Sequence, residues 1–328
     1  MRKLFFVLLS GAALGAKAQV DPHFSQYYVY PLWLNPALAG QSEGDYRVSG
    51  LYRNQWRNVS TPYSTFGISG DVRTNKNINF GLNILNQTAG TGGYNYTNAY
   101  LAVSYSGVRW GGEGQHNLSF GLQGGLLARR FDPSKFQGGD QWVPGVGFNP
   151  NIATSDPLTN TSSSSLDLGA GVSYFNSGEQ KVNPFVGVSV GHLTQPEDPF
   201  IGRGTASRLP MRLTVHGGAR VQVGDNAWIV PNALYLRQGN AQEIMLGGYA
   251  QLKVNETADL MFGANYRVND AVSPYVGVLF NRLMLGASYD VNTSQLGKMA
   301  GGANSFELSL TFFGKRNEEP SYFKCPRF

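Results

Sequence analysis

The stretch from Ala258 to Val268, ADLMFGANYRV, alternates apolar and polar residues along its whole length. A period of two is typical of a β-strand, in which successive side chains point to opposite faces. The apolar face holds Leu260, Phe262, Ala264, Tyr266 and Val268, and the opposite face holds Asp259, Met261, Gly263, Asn265 and Arg267. The same alternation recurs at 212–223 and at 305–312, so it indicates a chain built from strands.

Fourteen stretches of this kind follow one another between residues 45 and 313. They lie at 45–56, 62–73, 78–88, 94–105, 117–130, 165–176, 182–193, 208–223, 226–238, 242–254, 258–268, 272–281, 282–291 and 304–313. Each can supply the roughly 9 to 11 residues with which a tilted strand crosses a bilayer, and bacterial single-chain barrels use even strand numbers. The stretch at 226–238 is the weakest strand candidate, because Trp228, Val230 and Pro231 interrupt its alternation. Without this stretch the strand count would change by two.

The connections between these stretches differ in length in the way that outer-membrane barrels require, with short periplasmic turns and longer outer loops. With a periplasmic N-terminus, the outer loops are 131–164, 194–207 and 292–303, and the inner turns are 177–181, 224–225, 255–257 and the turn near Asn281. One inner turn, 106–116, is longer than this rule prefers. A soluble β-sandwich or a series of secreted β-domains is the alternative. Strand length, even count and loop asymmetry together favour an all-β, antiparallel transmembrane β-barrel.

The composition agrees with an exported membrane protein. Of 328 residues, 42 are Gly and 14% are charged, against rough norms of about 7% Gly and about 25% charged residues in soluble domains. The hydrophobic share of 41% excludes a disordered chain. Cys325 is the single cysteine, so no intrachain disulfide is possible. After the leader no run of about 18 apolar residues predicts a transmembrane helix.

The first eighteen residues resemble a secretory signal peptide. Arg2 and Lys3 precede an apolar run, and Ala16-Lys17-Ala18 matches an A-x-A cleavage site. Removing this segment takes away three basic residues and lowers the net charge from +5 to +2. The remaining Lys and Arg are not clustered, so nucleic acid is not an expected partner.

Several sequence blocks resemble the PorP/SprF family associated with the type IX secretion system of Bacteroidota. They are Asp21–Tyr27 (DPHFSQY), Asn35–Gly40 (NPALAG), Tyr52–Trp56 (YRNQW), Gly191–Pro196 (GHLTQP), Ser288–Leu296 (SYDVNTSQL), Gly301-Gly302 and Phe306–Leu310 (FELSL). The blocks occur in the family's order, and the paired N- and C-terminal blocks are the most specific. The resemblance therefore covers nearly all of the chain after the signal.

This resemblance implies an outer-membrane β-barrel of a Gram-negative bacterium that works with type IX secretion or gliding machinery. The implied role is to assist the export or surface anchoring of an adhesin or other cargo protein. The implied partners are outer-membrane lipid, subunits of the secretion motor or translocon, and the cargo itself. The family has no catalytic residues to carry over, and no cofactor is expected.

The chain divides into a signal peptide at 1–18, an N-terminal segment at 19–44, a barrel at 45–313 and a periplasmic tail at 314–328. The N-terminal segment is rich in Pro and aromatic residues, which resist ladder pairing and seek burial. It is expected to plug the lumen, which a fourteen-stranded barrel leaves partly open, or to form a cap outside the barrel. The candidate plug or partner residues are Asp21, Pro22, Phe24, Ser25, Gln26, Tyr27, Asn35, Pro36, Ala37 and Gly40.

Two further sets of residues are candidates for function. Alternation points charged side chains of both signs into the lumen, and the candidates are Arg47, Arg53, Arg220, Arg267, Asp290 and Glu307. They are expected to form a paired structural ladder or to line a selective pore, and the mixture of signs favours the ladder. The long outer loop offers aromatic side chains for cargo contact or gating, at Phe136, Trp142 and Phe148.

Motifs for catalysis are weak. Gly187-Val188-Ser189-Val190-Gly191 matches G-x-S-x-G, but it lies inside a strand candidate and not at the strand-to-helix turn that a nucleophile elbow requires. The four histidines show no metal-ligand spacing. The chain is therefore not expected to be an enzyme. The alternatives are an outer-membrane channel for small or hydrophobic solutes and, less favoured, a hydrolase on the barrel wall.

Overall fold

A computed structural model describes most of the chain after the leader. The described residues are 21–56, 62–90, 93–112, 114–135, 137–154, 161–178, 181–197, 208–294 and 304–315. The predicted signal peptide at 1–18 and all of the predicted tail beyond Lys315 lie outside these ranges.

Fourteen antiparallel strands form a closed barrel in which each strand pairs with its neighbours in the chain. They are β1 Tyr46–Gln55, β2 Tyr63–Val72, β3 Ile78–Ala89, β4 Tyr94–Trp110, β5 His116–Arg130, β6 Ser162–Asn176, β7 Val182–Gly191, β8 Arg212–Gly224, β9 Ala227–Gln238, β10 Ala241–Lys253, β11 Ala258–Arg267, β12 Ala271–Phe280, β13 Leu283–Asn292 and β14 Ser305–Gly314. The barrel closes where β1 pairs with β14, from Tyr46 opposite Gly314 to Gln55 opposite Ser305. The predicted all-β barrel is confirmed, including the weakly alternating strand β9.

The strands point apolar side chains outward and polar side chains inward, the reverse of the arrangement in a soluble protein. In β11, Leu260 and Phe262 are 46% and 51% exposed, whereas Asp259 and Asn265 are buried. Outward apolar and inward polar side chains are the pattern of a barrel whose outer wall meets lipid. The closed strand order excludes the sandwich alternative. No helix among the described residues is long and apolar enough to span a membrane.

The two ends of the barrel differ in the length of their connections. One end has short turns, such as 225–226 between β8 and β9 and 281–282 between β12 and β13. The other end carries the long connections 131–161, 192–211 and 293–304, which makes it the outer end. The prediction of a long inner turn at 106–116 was wrong. β4 continues to Trp110 after a bulge between Tyr105 and Val108, so its extra length is strand and the turn is short.

Residues 21–44 lie inside the barrel, and we call them the lumenal segment. The segment contains three short helical turns, Tyr27–Val29, Pro31–Leu34 and Pro36–Leu38. The last two begin with Pro, whose fixed φ suits the first helical position. Phe24 packs edge-on against Tyr30 and Trp33, with ring centroids 5.6 and 5.2 Å apart. These aromatic rings are buried at the centre of the barrel, where they replace the water that an open lumen would hold.

Candidate functional site

The lumenal segment crosses the barrel from its outer end to its periplasmic end. Asp21 contacts His192 and Arg212, which lie where β7 ends and β8 begins at the outer end. At the other end, Arg73 donates hydrogen bonds to the carbonyl oxygens of Ser42 and Gly44. The segment therefore spans the lumen before the chain enters β1.

Ser25 and Gln26 are held by charged side chains of the wall. The Glu307 carboxylate accepts hydrogen bonds from the backbone N–H groups of Ser25 and Gln26, at 2.6 and 2.8 Å. The Ser25 hydroxyl donates to Asp290 Oδ1 at 2.7 Å. Asn265 Nδ2 donates to the Ser25 carbonyl at 2.9 Å. Carboxylates that accept backbone N–H groups form strong, charge-assisted hydrogen bonds, so these contacts fix the position of the segment.

Two arginines connect these carboxylates. Arg53 bonds to Asp290 at 2.8 Å through Nη2, and to both Ser25 (2.9 Å) and Glu307 through Nη1. Arg267 Nη2 reaches Asp290 at 2.9 Å. We call Arg53, Arg267, Asp290 and Glu307 the Ser25 cluster. A buried ion pair offsets its desolvation cost only when further hydrogen bonds satisfy its members, and here Ser25 supplies several of them.

A second charged contact holds the outer end of the lumenal segment. His192 lies between two carboxylates, with Nε2 2.7 Å from Asp21 Oδ2 and Nδ1 2.6 Å from Asp167 Oδ2. Burial alone would lower the pKa of His192, but Asp21 and Asp167 raise it to about 9. Burial opposes ionisation of Asp21 as well, yet His192 and Arg212 hold the pKa of Asp21 well below its usual range. The pair is therefore an ion pair at neutral pH.

This ion pair makes the seating of the lumenal segment sensitive to alkaline pH. Because the pKa of His192 is raised above its ordinary value of 6.5, its stabilising contribution is complete below pH 6.5 and is lost as the pH rises through about 9. We expect the thermal stability of the wild-type barrel in detergent to fall more between pH 6.5 and 10 than that of His192→Gln. Equal falls in the two proteins would show that the His192 contact does not contribute.

Asn35 anchors the middle of the lumenal segment to the wall. Its Nδ2 donates to the Val172 carbonyl at 3.0 Å, and its Oδ1 accepts the N–H of Ala37 at 2.9 Å. The next turn of the segment passes directly over Gly121 of β5. A Cβ on Gly121 would lie 2.2 Å from Ala37 N and 2.4 Å from the Pro36 carbonyl carbon. The wall has no side chain at this point because the backbone of the segment fills the space.

A side chain at Gly121 is therefore expected to displace the lumenal segment. The atoms that Gly121→Leu would meet belong to backbone, which cannot rotate away, so overpacking should cost about 1–3 kcal/mol or more of unfolding free energy. The matched control is Gly50→Leu, since a Cβ on Gly50 of β1 meets nothing within 4 Å. Urea unfolding in detergent measures both variants. If they are equally stable, the close approach at Gly121 does not constrain the segment.

The structure separates the predicted lumen residues into three places. Arg53, Arg267, Asp290 and Glu307 meet in the Ser25 cluster, as described above. Arg47 lies near the periplasmic end, where Nε bonds to Asp71 Oδ1 at 2.8 Å and Nη2 to the Leu38 carbonyl at 3.3 Å. Arg220 stacks over the Trp228 ring, 4.4 Å from its centroid. Five of the six predicted residues thus contact the lumenal segment or a partner that binds it.

Two of the three predicted loop residues, Trp142 and Phe148, lie in a small structure of their own. Trp142 and Phe148 lie opposite each other in a short hairpin of Trp142–Val143 and Gly147–Phe148, with ring centroids 6.1 Å apart. Trp142 is 55% exposed. Phe136 lies outside the described residues.

Two contacts of the segment were missed in the sequence. His192 follows the inward-facing Gly191, so simple alternation would point its side chain outward. Its backbone has a φ of +57°, which interrupts the extended strand and allows the ring to reach Asp21. The role of Gly121 was also missed, because glycine within a strand indicates curvature as readily as close approach. The alternation of the sequence does not report the positive φ of His192. A search for inward-facing glycines that could pack against the Pro-rich segment could have found Gly121.

Comparison with protein families now identifies the class of this barrel. The family model described as type IX secretion system membrane protein PorP/SprF matches residues 16–312. The chain belongs to the PorP/SprF family. The family assignment and the outward apolar wall place the barrel in the outer membrane of a Gram-negative bacterium. A search of curated proteins finds no match to the chain.

Among solved structures of similar fold are a toluene transporter and a monoaromatic hydrocarbon channel. The toluene transporter TbuX of Ralstonia pickettii aligns with a TM-score of 0.52 and 10% identity, over 86% of this chain and 92% of that one. A deletion mutant of the monoaromatic hydrocarbon channel TodX aligns with a TM-score of 0.51 and 9% identity, over 89% of this chain and 97% of that one. At such low identity the likeness shows a shared barrel fold alone.

Proposed function

We propose that this PorP/SprF barrel assists the export or surface anchoring of a cargo protein as a closed scaffold in the outer membrane. The observation that carries the proposal is the lumenal segment, which crosses the barrel from end to end. It is tied to the wall by buried ion pairs of Asp21 with His192 and Arg212 and by hydrogen bonds of Ser25 to Asp290 and Glu307. A lumen occupied in this way leaves the outer loops and the periplasmic end as the working surfaces. Membership in the type IX secretion family supports secretion machinery and its cargo as the partners.

The outer surface offers a place for such contacts. The hairpin with Trp142 and Phe148 lies within the longest outer connection, and more than half of the Trp142 surface is exposed. Aromatic side chains supply large contact areas at little entropy cost and are enriched in protein interfaces. We assign this hairpin to cargo contact, with the motor or translocon subunits engaging the periplasmic end.

Co-purification tests the proposal. The full chain with an affinity tag, extracted from native membranes in mild detergent, should retain an exported surface protein or secretion-motor subunits. Trp142→Ala should reduce recovery of the surface protein, whereas Trp110→Ala, a substitution of an exposed Trp at the periplasmic end, should not. Recovery of the barrel alone under all extraction conditions would contradict the scaffold role.

A solute channel is the second candidate, because the barrel shares its fold with toluene and monoaromatic hydrocarbon transporters. In this role the lumenal segment would have to move for each passage. Solute-specific uptake by liposomes that contain the purified barrel would support a channel. We propose no enzymatic step: Ser189 of the G-x-S-x-G match donates its hydroxyl to the Leu34 carbonyl at 2.7 Å and serves to hold the segment.

A further inference from the structure

One strand edge of the barrel wall is open at the outer end. Strands β5 and β6 pair without a register shift up to Ser162, the first residue of β6. The ladder between β6 and β7 ends closer to the membrane, at Ala170. The β5–β6 pair therefore projects beyond β7. Within the part of the chain that the structure describes, no strand lies beside Ser162–Leu166 on the side away from β5. We call Ser162–Leu166 the outer edge.

The backbone groups of every second residue point to this open side. The Leu168 carbonyl accepts a backbone N–H of the β7–β8 connection at 2.9 Å, and the Leu166 carbonyl accepts the Thr194 hydroxyl at 3.1 Å. Even-numbered residues of β6 thus face away from β5. The N–H of Leu166 and both backbone groups of Ser164 and Ser162 point the same way. None of these five groups bonds to any residue that the structure describes.

The outer edge lacks the features by which natural sheets prevent unwanted pairing. Exposed edges usually carry Lys, Pro or a bulge. The sequence of this edge, Ser-Ser-Ser-Ser-Leu, has no charge and no Pro, and its register with β5 is regular. Leu166 is 72% exposed, against 50% for Leu168, the next outward residue. The edge is five residues or about 16 Å long, enough for the addition of a short strand.

The outer edge lies on the cell-surface side of the lipid boundary. The outward side chains of β6 change from Leu168 and Leu166 to the exposed Ser164 and Ser162, as expected where an apolar wall meets water. The connection that contains the Trp142–Phe148 hairpin leads directly into β6. The edge is therefore continuous with the surface assigned above to cargo contact.

We propose that the outer edge binds an extended segment of the exported cargo by strand addition. The segment runs antiparallel to β6 and continues the place of β7 beyond the end of that strand. Its backbone bonds to the N–H and C=O groups of Ser162 and Ser164, and an apolar side chain packs beside Leu166. This inference rests on the proposed function, because the cargo is the polypeptide that arrives at this face.

A second copy of the barrel fits the outer edge less well. In every copy inserted in the same orientation, β6 runs from the outer end toward the periplasm. Two such edges related by a two-fold axis along the membrane normal both descend, so they cannot form an antiparallel pair. An exported segment has no fixed orientation in the membrane and can run in the required direction.

Proline and alanine at position 164 test whether the backbone is recognised. Ser164→Pro removes an N–H on the open side and leaves the ladder with β5 intact, as proline on an edge strand does. Ser164→Ala, the matched control, keeps this N–H. The probe is the strand-forming peptide Lys-Thr-Val-Thr-Val-Thr-Lys-amide with a fluorescein label, titrated into the full barrel in detergent and followed by anisotropy. We expect saturable binding that is unchanged in Ser164→Ala and at least about tenfold weaker in Ser164→Pro.

A second variant leaves the backbone unchanged. Leu166→Ala removes the exposed apolar side chain and should also weaken peptide binding, which keeps the test decisive if Ser164→Pro does not fold. Heat-modified migration on gels shows whether each variant is folded. Equal binding by the wild type and the folded variants, or the absence of saturable binding, would overturn the inference. So would a dimer of the purified barrel that Ser164→Pro separates, because the edge would then belong to a second copy.

Hydrogen exchange at single residues locates the bound peptide. In the free barrel, the amides of Ser162, Ser164 and Leu166 should exchange quickly, whereas those of Ser163 and Ser165, which face β5, should exchange slowly. The peptide should slow the first group alone. Protection of the first group before the peptide is added would show that another part of this chain occupies the edge, which would contradict the proposal.

Co-purification of the surface protein gives a separate measurement. Ser164→Pro should lower its recovery with the tagged barrel, and Ser164→Ala should not. Equal recovery with both variants would contradict the role of the edge and leave the scaffold function in place. Peptide binding at the edge with no co-purifying protein would contradict the proposed function and leave the strand-addition site in place.

Discussion

Deletion of residues 21–40 should convert a closed barrel into an open pore. The lumenal segment supplies the buried aromatic rings and backbone that fill the barrel, and its removal leaves a polar inner wall around water. A fourteen-stranded barrel is wider than the small side-chain-filled barrels, so we expect conductance to rise by at least about tenfold in planar bilayers. This is the largest functional change that any single alteration of the chain should produce.

The control is a deletion of similar size outside the lumen. Removal of residues 137–154, which belong to the outer loop, should leave the conductance at its wild-type level. A deletion of 21–40 that inserts into bilayers as a folded barrel and still conducts no ions would contradict the assignment of the segment as a plug. Heat-modified migration on gels establishes that both deletion proteins are folded before their conductance is compared.

Replacement of Arg53 by Met should be the most destabilising point substitution in the barrel wall. Arg53 is fully buried and joins Asp290, Glu307 and Ser25. Its loss leaves two buried carboxylates short of a counter-ion, which typically costs about 3–5 kcal/mol of unfolding free energy. We expect a correspondingly lower urea midpoint in detergent and faster hydrogen exchange at the amides of Ser25 and Gln26.

Arg237→Met provides the comparison for Arg53→Met. Arg237 is exposed on the outward face of β9, so the same substitution there should change stability by less than about 1 kcal/mol. Arg53→Lys should be intermediate, because one ammonium group cannot reproduce the fork of contacts that a guanidinium makes. Equal stability of the Arg53 and Arg237 variants would mean that the Ser25 cluster does not hold the segment.

The barrel itself could be predicted because the decisive signal is local. Alternation within each strand reports which side chains face lipid, and the lengths of the connections report which end faces outward. Even the weakly alternating strand β9 can be predicted from its neighbours, because a closed antiparallel barrel requires a strand between β8 and β10. The error at 106–116 arose at the bulge between Tyr105 and Val108, where one strand holds extra residues and the alternation changes phase.

The arrangement of the candidate site could be predicted only in part. Alternation identified Arg53, Asp290 and Glu307 as inward-facing, but it could not pair them with Ser25. Ser25 and Glu307 are 282 positions apart, and their contact depends on the register of every strand between them. The N-terminal motif suggested a plug or a cap. The choice between them depends on whether the closed barrel leaves enough space for the segment, and no single stretch of sequence gives the size of that space.

The contact between Ser25 and Glu307 also ties the seating of the plug to the last step of barrel biogenesis. Glu307 lies in β14, the strand that closes the wall against β1. A nascent chain that has not yet delivered this strand has neither a sealed cylinder nor the carboxylate that receives the Ser25 amide. The strand that seals the cylinder therefore also supplies one anchor of the plug, and a barrel that lacks β14 lacks the contacts of Glu307 with Ser25 and Gln26.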